Sequence, residues 1–184
     1  MFRMLTKRKA DDTNAYAIYR AIMAQARHRN LYTSFGVPDT LDGRFEMLVL
    51  HATLVMSRLR EAGTPELAQR VFDIMFNDMD QALRETGASD ISVPRKVRQM
   101  AEAFYGRAAA YSAALQDTGK PASLAEALAR NVFPDGCQPG KSVQLARYAA
   151  EVVDALSRTT SAAIIDGLVE WPVPTEGPAE GISC

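Results

Sequence analysis

Between Leu41 and Ala62 the chain carries a segment with no polar face. Phe45, Leu48, Val49, Ala52, Val55, Met56 and Leu59 form one helical stripe, and Met47, Leu50 and Leu54 form a second. A helix that is apolar nearly all round must be covered on every side, so this one belongs at the centre of a bundle or inside a membrane. Length decides between the two. The near-apolar run FEMLVLHATLVM is 12 residues long and contains Glu46, His51 and Thr53, whereas a membrane-spanning helix needs about 20 apolar residues. The segment therefore predicts a soluble, all-α, single-domain bundle of about six helices built around it. Composition agrees: 29 of the 184 residues are alanine, the strongest helix former.

Helical spacing marks five further segments. Thr13 to Asn30 places Tyr16, Tyr19, Ile22, Met23 and Ala26 on one face, with Asp12 or Thr13 as cap. Thr64-Pro65-Glu66 opens a helix with an apolar face of Leu67, Val71, Ile74, Met75, Met79 and Leu83, and Gly87 ends it. Val93-Pro94 starts another that runs to about Asp117, where Gly106 and Ala108 to Ala110 predict a thin surface for a close neighbour. Ser123 to Glu126 fits a capping box, and that short helix fades near Phe133. The last helix spans about Ser142 to Ile165, weakened at Ser157 to Ser161. The domain reading is a flexible basic N-terminus over 1–12, a helical domain over 13–169, and a Pro/Gly-rich disordered tail over 170–184.

Chemistry-bearing patterns are sparse. Cys137 and Cys184 are too few for a disulfide framework or a metal cluster and read as free thiols of a reducing compartment. The basic start lacks the apolar run of a secretory signal. A net charge of -1 offers no field for nucleic acid, so no nucleic-acid partner is expected. His28 sits between Arg27 and Arg29 at a helix end, where a cation suits the dipole. His51, inside the apolar helix, reads either as a core imidazole satisfied by a backbone or hydroxyl partner, or as a buried anchor or haem ligand. Asp73, Asp78 and Asp80 share one helix with Asn77 and Arg84, which makes a solvated face or a surface for a basic segment. No catalytic constellation, metal motif or phosphate loop accompanies them, which argues against catalysis, and no cofactor or metal is expected.

Two basic clusters remain. Arg95, Lys96 and Arg98 open a helix, where their charge opposes the macrodipole, and Arg3, Lys7, Arg8 and Lys9 crowd the N-terminus. Either Arg95, Lys96 and Arg98 pair with nearby Asp90 or the acidic helix before them, or they meet an anionic surface, a partner or lipid headgroups, and the N-terminal cluster offers loose attachment to the latter. From the residues alone three classes stand: a helical binding module, a small enzyme or ligand-binding protein with a pocket lined by His51 and the Asp73/Asp80 face, and a generic interaction adaptor.

Four segments sharpen the choice: FGVPDTLDGRFEMLVLHATLVMSRLR, VFDIMFNDMDQALRETGASD, VRQMAEAFYGRAAAYSAAL and LAEALARNVF, in order from Phe35 to Phe133. The apolar helix with its central histidine and Arg-Leu-Arg end, the pair Phe76 and Asp78, Tyr105-Gly106-Arg107 and Leu128-Ala129-Arg130-Asn131 resemble the ubiquinol–cytochrome c chaperone family in its compact bacterial form. Mitochondrial members carry tryptophan and a second histidine near this helix; Leu50-His51-Ala52 keeps one. The resemblance implies an assembly chaperone that binds newly made cytochrome b and serves the cytochrome bc1 complex, with a helper assembly factor as a further partner. It places the protein in the cytoplasm, peripheral to the inner face of the inner membrane. Partner-binding residues are then expected among Arg44, His51, Arg58, Phe76, Asp78, Arg84, Arg95, Lys96, Arg98, Tyr105 and Arg107, with Met75, Met79 and Met100 as candidates for an adaptable apolar surface.

Overall fold

A computed structural model of the chain describes residues 2–175 except 88, 90, 117–121, 137 and 139. Both cysteines and residues 176–184 lie outside the described residues. The described residues hold helices and no strand: α1 (Phe2–Ala26), α2 (Arg29–Thr33), α3 (Leu41–Glu61), α4 (Pro65–Glu85), α5 (Val93–Gln116), α6 (Ala122–Val132), α7 (Lys141–Arg158) and α8 (Ser161–Ile165). The six long helices match the six expected; α8 is a single turn cut from the end of the last, and α2 is a turn that runs past Asn30, where the first was expected to stop.

Helix α3 is the axis. It packs against α1, α4, α5, α6, α7 and α8, and every residue from Glu46 to Met56 is buried. Burying a leucine side chain contributes about 1.5–3 kcal/mol, and α3 buries Leu48, Leu50, Leu54 and Leu59 together. The other helices wrap it with one apolar stripe each, as their sequence spacing requires. Its N-terminus is set by Thr40, whose hydroxyl accepts the Gly43 amide at 3.1 Å. Gly43 is obligatory for another reason: a Cβ there would lie 2.0 Å from the Pro38 carbonyl oxygen, so only glycine lets the connector fold back on this turn. At the other end Gly63 adopts φ +76° and stops the helix.

Several boundaries differ from the sequence reading, each for a local reason. Helix α1 begins at Phe2 rather than near Thr13, because Leu, Lys, Arg, Met and Ala give no breaker there. It ends at Ala26, and His28 does not sit at its C-terminus as a dipole partner. Instead the Nδ1 of His28 accepts the Asn30 amide at 3.3 Å and caps α2. Thr64 precedes α4 without capping it; its hydroxyl donates to the Leu59 carbonyl at 2.9 Å. The weak stretch after Ser157 is a break, with Thr159 and Thr160 extended and Thr160 capping α8. Gly106 faces open space, so the thin surface of α5 receives no close neighbour there.

The segment after α8 departs most from expectation. Residues 170–175, read as the start of a disordered tail, run back across α1 and α2. Gln25 Nε2 donates to the Pro172 carbonyl at 3.0 Å and Asn30 Nδ2 to the Pro174 carbonyl at 2.9 Å. Prolines forbid a helix here but leave their carbonyls free to accept. We call this segment the strap.

Truncating Leu50, which has no exposure, leaves a cavity on the axis. Leu50→Ala should lower unfolding free energy by about 2–5 kcal/mol in chemical denaturation. The amides of residues 47–56 should be the last to exchange.

Candidate functional site

The charged and polar side chains sort into those that bind the helices to one another and those that face outward. The first group centres on His51, which has no solvent exposure. Its Nδ1 lies 2.7 Å from the Met47 carbonyl, which can only accept, so Nδ1 carries the proton. Nε2 is then an acceptor and takes the Tyr148 hydroxyl at 2.8 Å. The Tyr148 oxygen in turn accepts from Gln25 at 2.7 Å, and the same Gln25 amide reaches the strap. One chain of bonds thus ties α3, α7, α1 and residues 170–175. Trp171 closes it from outside, edge-on to the His51 ring with centroids 5.7 Å apart. Burial holds the imidazole down to about 4 despite the Met47 bond, so it is neutral near pH 7. Both ring nitrogens are occupied, and neither is open to an iron atom in this structure.

A second internal contact joins α3 to α5. Arg107 grips Glu46 through two contacts, Nη2 to Oε1 at 2.6 Å and Nε to Oε2 at 2.7 Å, a fork that suits a carboxylate. Burial raises the Glu46 carboxyl, and Arg107 opposes that rise. The buried Tyr111 hydroxyl lies beside Glu46 and Asn131 without a hydrogen bond of good geometry. Arg58 closes the end of α7, donating from Nε to the Leu156 carbonyl and from Nη2 to the Thr159 carbonyl, both at 3.1 Å. Tyr19 donates to Asp78 at 2.6 Å and links α1 to α4. His51, Arg58, Arg107 and Asp78 therefore all serve helix-to-helix contacts, and Phe76 is buried at 7% exposure.

Of the outward residues singled out in the sequence, most lie on the α4–α5 hairpin. Phe72, Phe76, Phe104 and Tyr105 form one aromatic cluster, with the Phe72 and Tyr105 rings stacked at 5.2 Å. Tyr105 keeps 55% of its surface exposed. At the tip of the hairpin Arg95, Lys96 and Arg98 are exposed, and so is Arg84. Arg84 pairs with Asp80 and Arg98 with Glu102 along their own helices; Arg95 and Lys96 have no ion pair among the described residues. The expected pairing with Asp90 lies outside the described residues. Between the basic residues stands Ile91, 92% exposed. Sequence spacing missed it, because a lone isoleucine in a turn gives no periodic signal. Arg44, on the first turn of α3, is also exposed and pairs with Asp39 at 2.7 Å.

The pocket required by an enzyme or small-ligand reading is not assembled here. His51 is enclosed at the axis, while Asp73 accepts from Gln69 and Asp80 pairs with Arg84 on the outer side of α4. Of the methionines, Met75 is fully buried, and Met79 and Met100 pack against the core. An apolar groove of about 190 Å³ does open between α3, α5 and α7. Leu54, Leu115, Val153 and Leu156 line it, and Arg58 and Glu61 stand at its rim.

Residues 33–171 match the ubiquinol-cytochrome C chaperone family. The chain is 23% identical over 172 residues to ubiquinol-cytochrome-c reductase complex assembly factor 1 of Xenopus laevis, covering 91% of this chain and 85% of that one. The crystal structure of the Cbp3 homolog from Brucella abortus is similar at 36% identity and a TM-score of 0.81, over 95% of this chain and 98% of that one.

Two outcomes test the internal contacts. The unfolded chain binds a proton at His51 near the ordinary value of 6.5, and the folded chain does so only near 4. Stability is therefore complete above pH 6.5 and is lost as pH falls toward 4, by roughly 3 kcal/mol. Denaturation at stepped pH should show this slope in the parent and not in His51→Gln. Arg107→Ala strands a buried carboxylate and should cost about 3 kcal/mol, the low end for a broken buried pair, because Arg107 is 26% exposed. Glu46→Leu combined with Arg107→Met should recover most of it.

Proposed function

Because the chain belongs to the ubiquinol–cytochrome c chaperone family, we propose that it supports assembly of the cytochrome bc1 complex by binding newly made cytochrome b. The observation that carries this reading is the match over residues 33–171, reinforced by likeness to the Brucella abortus protein along almost the whole chain. The family is one of assembly chaperones rather than enzymes. The protein holds its client stoichiometrically until haem has entered and the other subunits have joined. A helper assembly factor shares the task.

The hairpin tip supports a peripheral place at the inner face of the inner membrane. No described helix is long and apolar enough to cross a bilayer. An isoleucine exposed at 92% beside Arg95, Lys96 and Arg98 combines an apolar wedge with charge for lipid headgroups, each cation adding about 1 kcal/mol near an anionic surface. From there the exposed Tyr105 and the groove beside Leu115 and Val153 face the apolar segments of the client. Arg44 and Arg84 add polar contacts.

A strain lacking the protein should show less assembled bc1 complex and less cytochrome b, while the other respiratory complexes keep their levels. Normal cytochrome b and normal bc1 activity in that strain would overturn the reading. Changing Ile91→Asp together with Arg95, Lys96 and Arg98 to glutamate should release the protein from membranes at unchanged helicity. Equal co-sedimentation of this variant and the parent would reduce the tip to an ordinary solvated turn.

A further inference from the structure

On the side of the molecule where α2 meets the start of α3, Arg27, Arg29, Tyr32, Thr33, Asp39 and Arg44 enclose a cleft of about 470 Å³. Three guanidiniums share it with a single carboxylate. Asp39 is taken by Arg44 at 2.7 Å, in a pair whose side chains are 61% and 58% exposed. Arg27 and Arg29 have no carboxylate partner among the described residues, and both are exposed. Two positive charges are therefore left over at one concave place. Arg58 and Arg107 each bind helices together, but no helix contact accounts for Arg27 and Arg29. Nearby, Lys141 Nζ donates to the Ser34 carbonyl at 2.6 Å and places a further cation just beyond α2.

The hydroxyls of the cleft are already committed as donors. Tyr32 donates to the Ala26 carbonyl at 2.7 Å, which fixes its ring as a wall. Thr33 donates to the Arg29 carbonyl at 3.2 Å. Burial raises the Tyr32 hydroxyl and so does the Asp39 charge, whereas the Arg44 and Arg27 charges lower it. What the cleft offers a ligand is guanidinium N–H groups with surplus positive charge. That selects an anion whose charged oxygens accept hydrogen bonds, and the planar guanidinium fork matches phosphate oxygens two at a time.

We infer that this cleft binds a phosphate group. Its volume exceeds that of the ion alone, so there is room for what the phosphate is attached to, a glycerol headgroup included. The inference does not rest on the chaperone reading, because it uses only the charge and donors of the cleft.

The test uses the full chain and two probes: inorganic phosphate, followed by titration calorimetry, and phosphatidylcholine vesicles with or without phosphatidylglycerol, followed by co-sedimentation. Arg27→Gln, Arg29→Gln and Arg44→Gln combined should weaken binding of at least one probe by about tenfold or more. Asp39→Asn, which frees Arg44, should strengthen it. A loss confined to vesicles containing phosphatidylglycerol assigns the phosphate to lipid, and a loss confined to inorganic phosphate assigns it to a free ion or small metabolite. Changing Arg95, Lys96 and Arg98 to glutamine should leave inorganic phosphate binding intact. The inference fails if neither probe binds the parent, if the triple variant binds as well as the parent, or if a polyglutamate peptide binds the cleft more tightly than phosphate. Should the triple variant lose helicity, the gain expected from Asp39→Asn decides alone.

Discussion

Everything in this fold is arranged around the cost of taking α3 out of water. An eleven-residue stretch buried on all sides is stabilised by its hydrocarbon, but it brings Glu46, His51 and Thr53 with it. Each unpaired polar group inside a protein costs free energy of the same order as a buried leucine gains. The fold answers each in turn. Thr53 donates to the Val49 carbonyl within its own helix, Glu46 takes Arg107 from α5, and His51 takes Tyr148 from α7 while staying neutral. These partners fix where α5 and α7 can sit, because a shift by one turn would leave a charge or an imidazole unsatisfied. Apolar packing alone would tolerate several such registers.

The His51 chain also explains why the segment after α8 does not drift away. Gln25 spends one amide group on both Tyr148 and the Pro172 carbonyl, so the strap is joined to the most buried point of the molecule through a single side chain. Trp171 then covers the imidazole and keeps water from competing for its bonds. A proline-rich sequence has no helix or sheet to offer, yet it gains order when its carbonyls meet amide donors supplied by packed helices.

Once the axis is satisfied internally, the outward surface is free to serve binding. The internal arginines, Arg58 and Arg107, are consumed by carbonyls and a carboxylate. Among those outside, two groups make separate positive regions, the α4–α5 tip and the Arg27–Arg29–Arg44 cleft. The tip pairs charge with an exposed isoleucine, and the cleft pairs charge with concavity. This difference in setting, more than the net charge of -1, distinguishes a surface for an interface from a site for a discrete anion.

By itself the sequence determined the helical class, the six long helices and the central place of α3, because periodicity is local and an apolar segment of that length has few other solutions. It also carried the family resemblance, since ordered motifs survive without knowledge of their contacts. Tertiary structure alone decided what the singled-out residues do. Nothing in the spacing of Arg58, Asp78 or Arg107 says that their partners are a helix end, Tyr19 and Glu46, because those partners are 59 or more residues away in the chain. The same holds for the strap, whose composition argues for disorder until Gln25 and Asn30 are placed beneath it. It holds too for the arginine cleft, where Arg27 and Arg29 meet Arg44 only after the connector has folded back over Gly43. Short-range regularities can be read along a chain, whereas hydrogen-bond satisfaction across it depends on which helices finally lie side by side.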